Sequence, residues 1–307
     1  MSIALIAPDR DLHGLVRALE EQSPETPVEV WPNLGRLDRV EFAVCWRPPV
    51  GVLATLPALK AVSSLGAGID SILNDPTLPA DLPVGRLSGS HLAQDMAGWV
   101  LAHVTSIWFD LARFEVQQAA GRWAPSSPQR VARVGLMGTG AVARPLIASL
   151  TAWGCEVHGW NRRGRAIRGL TVHKGPKGLI EMASAVDFLV CLLPLTSATT
   201  DILDQRVFEA MQPGTTLINA GRGQHLVEKD LLEALERDRP GRAVLDVFRR
   251  EPLPVDHPFW QHPRVRISPH CAAISQDKET ANLILRSYRE VIAGRPPLGE
   301  ANREQGY

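Results

Sequence analysis

One short stretch restricts the fold of this 307-residue chain more than any other. Val134-Gly135-Leu136-Met137 is apolar and strand-like, and a Gly-x-Gly-x-x-Ala turn follows from Gly138 to Ala143. Val142, Leu146, Leu150 and Trp153 then recur at the steps that line apolar side chains along one side of a helix. Gly138 permits the tight turn, Gly140 lets a ligand approach the backbone, and small Ala143 lets the helix lie close to the sheet. Pro145 is tolerated only in or near a first helical turn, so it fixes where this helix begins. With a further strand predicted from Glu156, the segment forms a β-α-β unit whose helix N-terminus offers amides and partial positive charge to phosphates. Gly138, Thr139, Gly140, Ala141 and Val142 are therefore candidate dinucleotide contacts.

The same alternation runs through most of the chain. Residues 2–7, 28–31, 42–46 and 61–65 read as short buried strands, with a helix predicted over 12–20. A second series of strands is predicted over 131–137, 156–160, 188–193, 215–219, 243–247 and 265–267, with helices over 144–153 and 228–236. Alternation of this kind implies α/β architecture with parallel sheets covered by helices on both faces. Between the two series, Leu92, Met96, Trp99, Val100, Val104 and Ile107 predict one long helix over 91–120, followed by an exposed connection over 121–128. A closing helix over 276–293 is expected to return and pack on the first series. The length alone favours two domains.

Equal numbers of acidic and basic residues, 33 each, argue against a nucleic-acid or membrane-surface role. No apolar run reaches the ~20 residues that a bilayer requires. The short apolar start lacks a basic leader, so the cytoplasm is the expected location. Cys45, Cys155, Cys191 and Cys271 are scattered, form no C-x-x-C pair, and predict free thiols rather than a metal site.

The end of the 156–160 strand bears on which dinucleotide binds. Folds that prefer NAD usually carry Asp or Glu about 20 residues beyond the first glycine, to accept the ribose hydroxyls. Here the chain reads Asn161-Arg162-Arg163-Gly164-Arg165 and offers no acid. Guanidinium groups pair with a 2′-phosphate that a carboxylate would repel. NADPH is the expected cofactor, with NADH as the second option.

Three patches each follow a predicted strand: Asn219-Ala220-Gly221-Arg222-Gly223, Asp246-Val247-Phe248-Arg249-Arg250-Glu251-Pro252 and Ser268-Pro269-His270. Open α/β sheets gather ligands at such strand ends. Reduction of a keto acid needs a fixed cation for the carboxylate, a proton donor for the nascent alkoxide, and a partner that keeps the donor protonated. Arg222, His270 and Glu251 supply these groups. In order and spacing the patches resemble the D-isomer-specific 2-hydroxyacid dehydrogenases. Leu192-Leu193-Pro194-Leu195-Thr196, the Asp246–Pro254 patch and the final Arg303-Glu304-Gln305-Gly306-Tyr307 look most like that family's glyoxylate/hydroxypyruvate reductase A branch.

The resemblance implies two doubly wound parallel-sheet domains joined by the long helix. A flavodoxin-like substrate domain would comprise 1–92 and 277–307, and a Rossmann dinucleotide-binding domain would comprise 93–276. It implies that Arg222 binds the carboxylate and keto oxygen, that His270 donates the proton, and that Glu251 hydrogen-bonds His270. Leu193, Pro194, Thr196, Ala220 and Asp246 would line the cofactor, Asp246 at its carboxamide. The Leu65-Gly66-Ala67-Gly68 loop would hold the substrate carboxylate through backbone amides, with Trp46 nearby. A homodimer is implied, with Trp123 reaching the neighbouring subunit's site. Three positions depart from the family pattern: Gly221 stands where Ala is usual, Gly98 where many members have Glu, and Cys271 where an aliphatic residue is common. Two other functions fit the same residues: a dehydrogenase of another 2-hydroxy acid, and a non-catalytic dinucleotide-sensing binding protein. The remaining histidines, His225 among them, are expected to be structural.

Overall fold

The computed structural model describes residues 2–128, 130–162, 164–274 and 276–307. Contacts divide the chain into two compact units. The first comprises Met1–His91, Pro194–Thr196 and Ser275–Tyr307, and the second comprises Leu92–Leu193 and Ser197–Ile274.

The first unit begins with β1 (Ser2–Ile6), α1 (His13–Gln22), β2 (Val28–Val30), β3 (Val40–Cys45), β4 (Ala61–Ser64), α2 (Asp70–Leu73) and β5 (Val84–Arg86). Its five strands are parallel in the order β2-β1-β3-β4-β5, the flavodoxin-like winding. Every residue of β1, β3 and β4 is buried, as strands covered on both faces require.

The second unit runs through α3 (Ser90–Trp108), α4 (Leu111–Ala119), β6 (Arg133–Met137), α5 (Ala143–Ala152), β7 (Glu156–Trp160), β8 (Thr171–His173), α6 (Gly175–Ala185), β9 (Phe188–Cys191), α7 (Gln205–Ala210), β10 (Thr216–Asn219), α8 (Glu228–Glu236), β11 (Arg242–Leu245) and β12 (Val265–Ile267). The seven parallel strands are ordered β12-β11-β10-β9-β6-β7-β8, so the direction of winding reverses between β6 and β9. That reversal makes a topological switch point, where ligands of doubly wound sheets collect. Leu136, Val190, Ile218 and Val244 line one buried face of the sheet, and Leu189, Leu217 and Leu245 the other.

The chain then returns to the first unit as α9 (Asp277–Ile292). Its buried Ala281, Ile284, Leu285, Tyr288 and Val291 follow the helical period and join Leu15, Ala18 and Leu19 of α1 in one core. Gly14 leaves room for the Asp277 carboxylate, which a β-carbon would overlap.

Two expectations are corrected. The run over 91–120 is two helices, not one long one. Asp110 adopts φ 51°, a left-handed conformation that Asp tolerates, and the ladder ends at Phe109 and restarts with the Arg113 amide on the Asp110 carbonyl. The apolar spacing carries across the break, so periodicity alone could not register it. On α5 the buried positions are Ala143, Leu146 and Leu150. Trp153 remains 37% exposed, with its ring centroid 5.9 Å from that of Phe109. Among the described residues, all four sheet-edge strands have three residues; the predicted strands at 28–31 and 265–267 cover β2 and β12, whereas β5 and β8 fall outside the predicted strands.

Candidate active site

Arg222, Glu251 and His270 leave the same edge of three neighbouring parallel strands, beyond β10, β11 and β12 respectively. The Arg222 turn is fastened from within. Asn219, fully buried, accepts from the Gly221 amide at 3.2 Å and donates to the Arg222 carbonyl at 3.1 Å. The Arg222 guanidinium donates to the Gly221 carbonyl at 2.8 Å. A β-carbon on Gly223 would overlap the backbone of Phe248 and Arg249, so glycine there is what lets the Arg222 turn lie against the Glu251 loop. The side chain of Arg249 tightens the same junction by donating to the Leu226 carbonyl at 2.7 Å.

Glu251 uses both carboxylate oxygens. One accepts the Phe248 amide at 2.9 Å, and the other lies 2.8 Å from Nδ1 of His270. A carboxylate facing Nδ1 makes that nitrogen the donor and leaves Nε2 as the nitrogen for chemistry. The two side chains are mostly shielded, 13% and 23% exposed. His270 itself adopts φ 52°, and its amide donates to the Asp246 carbonyl at 2.8 Å.

Asp246 does more than the sequence suggested. It is 1% exposed, and its carboxylate accepts from the Ser268 hydroxyl at 2.6 Å and from the amides of Cys271 and Ala272 at 2.9 and 3.0 Å. Three bonds from one carboxylate thus bind the loop on both sides of His270, and Ser268 enters the site through this contact. Burial, then the Asp246 charge, pushes the Cys271 thiol up, away from the reactive thiolate form.

At the switch point, Gly138 has φ +99° and its amide donates to the Trp160 carbonyl at 3.0 Å. A β-carbon there would stand 3.0 Å from the Leu192 carbonyl oxygen. One built on Gly140 would meet nothing within 4 Å, so the outer side of the turn is open. Thr139 and Ala141 lie on this turn, and Val142 precedes α5, which has no side-chain cap at its N-terminus. The amides of Ala143 and Arg144 donate to the Gly140 and Ala141 carbonyls at 3.1 and 3.4 Å and Pro145 has none, so it is the open glycine backbone before the helix that fits a pyrophosphate. Asn161 ties the basic turn to this one: its amide donates to the Thr139 hydroxyl at 3.4 Å and the Arg165 carbonyl at 3.2 Å, while its oxygen accepts the Arg165 amide at 3.0 Å. Arg162 is exposed, and Arg163 lies outside the described residues. Leu193 and Ala220 are buried on neighbouring strand ends, the Ala220 amide donating to the Cys191 carbonyl at 3.2 Å. Pro194 and Thr196 group with the first unit.

In that first unit, Leu65, Gly66, Ala67 and Gly68 follow β4, and Trp46 follows β3. The Leu65 amide is engaged by the Cys45 carbonyl at 2.8 Å. Ser64 shapes the loop by donating to the Gly68 carbonyl at 2.5 Å. The Trp46 ring packs on Gly66, where a β-carbon would come within 3.3 Å of it, and the Arg10 guanidinium lies 3.8 Å from its centroid. Among the described residues, no helix is long and apolar enough to cross a membrane.

Residues 101–272 match the family described as D-isomer specific 2-hydroxyacid dehydrogenase, NAD binding domain, and the chain belongs to this family. Within it, the chain is 36% identical to the glyoxylate/hydroxypyruvate reductase A of Serratia proteamaculans (strain 568), with all of both chains covered. It is 32% identical to the enzyme of the same name from Yersinia enterocolitica, again over all of both chains. Among solved structures, a D-isomer specific 2-hydroxyacid dehydrogenase from Xanthobacter autotrophicus Py2 in complex with NADPH and MES superimposes with a TM-score of 0.91 at 32% identity, covering 100% of this chain and 99% of that one. An NADPH-dependent glyoxylate/hydroxypyruvate reductase from Sinorhizobium meliloti in complex with NADP and sulfate gives 0.91 at 30% identity, covering 100% of both.

Proposed function

We propose that this chain is a reductase of small 2-keto acids of the glyoxylate/hydroxypyruvate type, using NADPH and yielding the 2-hydroxy acid. The observation that carries the reading is the His270–Glu251 pair, held beside the Arg222 turn at the ligand-gathering edge of the sheet. NADPH, when bound, would supply the hydride for C2 of the substrate. Arg222 holds the carboxylate and polarises the keto oxygen. His270 releases the proton on Nε2 to that oxygen, and Glu251 fixes its ring through Nδ1.

The Gly138–Val142 turn, at the N-terminal end of α5, holds the pyrophosphate. Asn161, Arg162 and Arg163 meet the 2′-phosphate, and Leu193, Pro194, Thr196, Ala220 and Asp246 flank the remainder of the cofactor. With the Leu65 amide engaged by the Cys45 carbonyl and the Gly66 amide donating to the Ser64 hydroxyl at 3.3 Å, carboxylate binding from the β4 loop falls to the amides of Ala67 and Gly68, beside Trp46. In this reading 93–276 is the dinucleotide-binding domain, and 1–92 with 277–307 is the substrate domain. The enzyme works in the cytoplasm, in keeping with its four free cysteines, and as a homodimer. Trp123, 97% exposed, is suited to burial against a second copy. An unchanged KM for hydroxypyruvate in Trp123→Ala would remove that contact.

A panel of 2-keto acids assayed with NADPH and NADH tests the proposal. The highest kcat/KM is expected for glyoxylate or hydroxypyruvate with NADPH. Absence of turnover on every 2-keto acid would overturn the reductase reading, and a clear NADH preference would overturn the assignment of the basic turn.

A further inference from the structure

His225 follows Arg222 by three residues and is fully buried. A buried imidazole nitrogen needs a partner, and the partner reveals its protonation. Nδ1 of His225 lies 3.0 Å from the Arg222 amide, which can only donate, so Nδ1 is the unprotonated nitrogen. Cys191, at the end of β9, brings its sulfur within 3.6 Å of the same nitrogen. Burial pushes that thiol up to about 12, so it too faces Nδ1 as S–H rather than as a competing anion.

The glycine before Arg222 is part of the same arrangement. A β-carbon on Gly221 would stand 2.9 Å from Nδ1 and 3.0 Å from Cε1 of His225, and 3.1 Å from the Leu193 carbonyl. The ring therefore occupies the space that a side chain at 221 would need. With Asn219 on the Arg222 carbonyl and His225 on its amide, both polar groups of the Arg222 backbone are held by buried side chains. These two contacts fix the backbone from which the guanidinium leaves, and its own bond to the Gly221 carbonyl adds to its placement.

We propose that His225 is a positioning residue for substrate binding, aiming Arg222 through its backbone amide in a space that Gly221 leaves open. The proposal rests on the reading of Arg222 as the carboxylate-binding cation. Sub-ångström errors in placing such a group are costly, because its bond to the substrate is directional and charge-assisted.

Three variants separate the acceptor from the bulk of the ring. His225→Leu fills the space without an acceptor, His225→Asn returns a carbonyl oxygen near the place of Nδ1, and His225→Gln carries its amide beyond it. His225→Leu and His225→Gln are expected to raise KM for the keto acid, and Ki for the non-reducible analogue oxalate, about ten-fold, the worth of one hydrogen bond to a fixed group. Their NADPH Kd, read by fluorescence, should stay within about two-fold, and His225→Asn should recover most of the loss. Where His225→Leu fails to fold, the contrast between Asn and Gln carries the same test. In an Arg222→Ala background, replacing His225 should add nothing further, as expected for residues acting through one group.

Wild-type KM and Ki in His225→Leu or His225→Gln, an effect that multiplies fully onto Arg222→Ala, or equal losses in the Asn and Gln variants would each overturn the proposal. Wild-type KM and kcat in Arg222→Ala alone would instead overturn the reading of Arg222, and the proposal with it.

Discussion

Nδ1 of His270 stands 2.8 Å from one carboxylate oxygen of Glu251, whose other oxygen accepts the amide of Phe248. The carboxylate is thus fixed to the backbone of its own loop before it meets the ring. Turning the imidazole about would break a shielded, charge-assisted bond, worth roughly 1.5–3 kcal/mol. One orientation of His270 therefore prevails, with Nε2 directed away from Glu251. The bond spans two loops that leave adjacent strands, so β11 and β12 must be in register for it to form. They are, with Leu245 opposite Ile267.

Asp246 holds the His270 loop through three bonds, and this yields a prediction about stability as well as rate. Asp246→Asn turns an amide nitrogen toward donors that need an acceptor, leaving at least one buried group unsatisfied at a cost of about 1–3 kcal/mol. Melting temperature should fall by about 3–8 °C without cofactor, and kcat should fall about ten-fold as the loop loosens. A residue that only touched cofactor would leave the melting temperature of the free protein unchanged.

The basic turn predicts a cofactor effect of one sign. Arg162→Ala should raise KM for NADPH about ten-fold by removing a charge-assisted contact to the 2′-phosphate. The kcat/KM with NADH should stay within about two-fold. Equal losses with both cofactors would show that Arg162 maintains the turn instead of reading the phosphate.

Asp187 predicts an acid-side loss of stability. Burial alone would raise its pKa, but hydrogen bonds from Arg130, the Arg133 side chain and the Arg133 amide outweigh burial and hold it at about 2. A folded pKa below the unfolded one contributes stability above the unfolded value, and that contribution is lost as pH falls toward the folded value. Since the group is partly solvated, the contribution at neutral pH is about 1–2 kcal/mol after screening. Urea unfolding of Asp187→Asn should show a deficit of that size at pH 7. The gap from wild type should begin to close as pH falls below about 4, and a gap independent of pH would contradict the assignment.

The turn at Gly138 was legible because its requirements are local: a left-handed glycine, an open glycine and a small residue, in fixed order after a strand. Both sheets were legible because parallel strands buried on both faces are short apolar runs. The break at Asp110 was not, since one left-handed residue interrupts the helix without disturbing the apolar spacing. Glu251 and His270 were read from motif order, and the structure brings them into contact. The part played by Asp246 depends on the pairing of β11 with β12, which no local pattern records. From the sequence His225 is expected only to be structural, because its setting is assembled from Cys191, Gly221 and Arg222, which converge only once β9 and β10 lie side by side.

The most direct test of the account is the turnover of His270→Gln with glyoxylate or hydroxypyruvate and NADPH, measured beside its NADPH Kd. With His270 as the proton donor, kcat should fall by roughly 10²–10⁴-fold while cofactor affinity holds. Turnover near that of the wild type, with cofactor bound equally well, would contradict it.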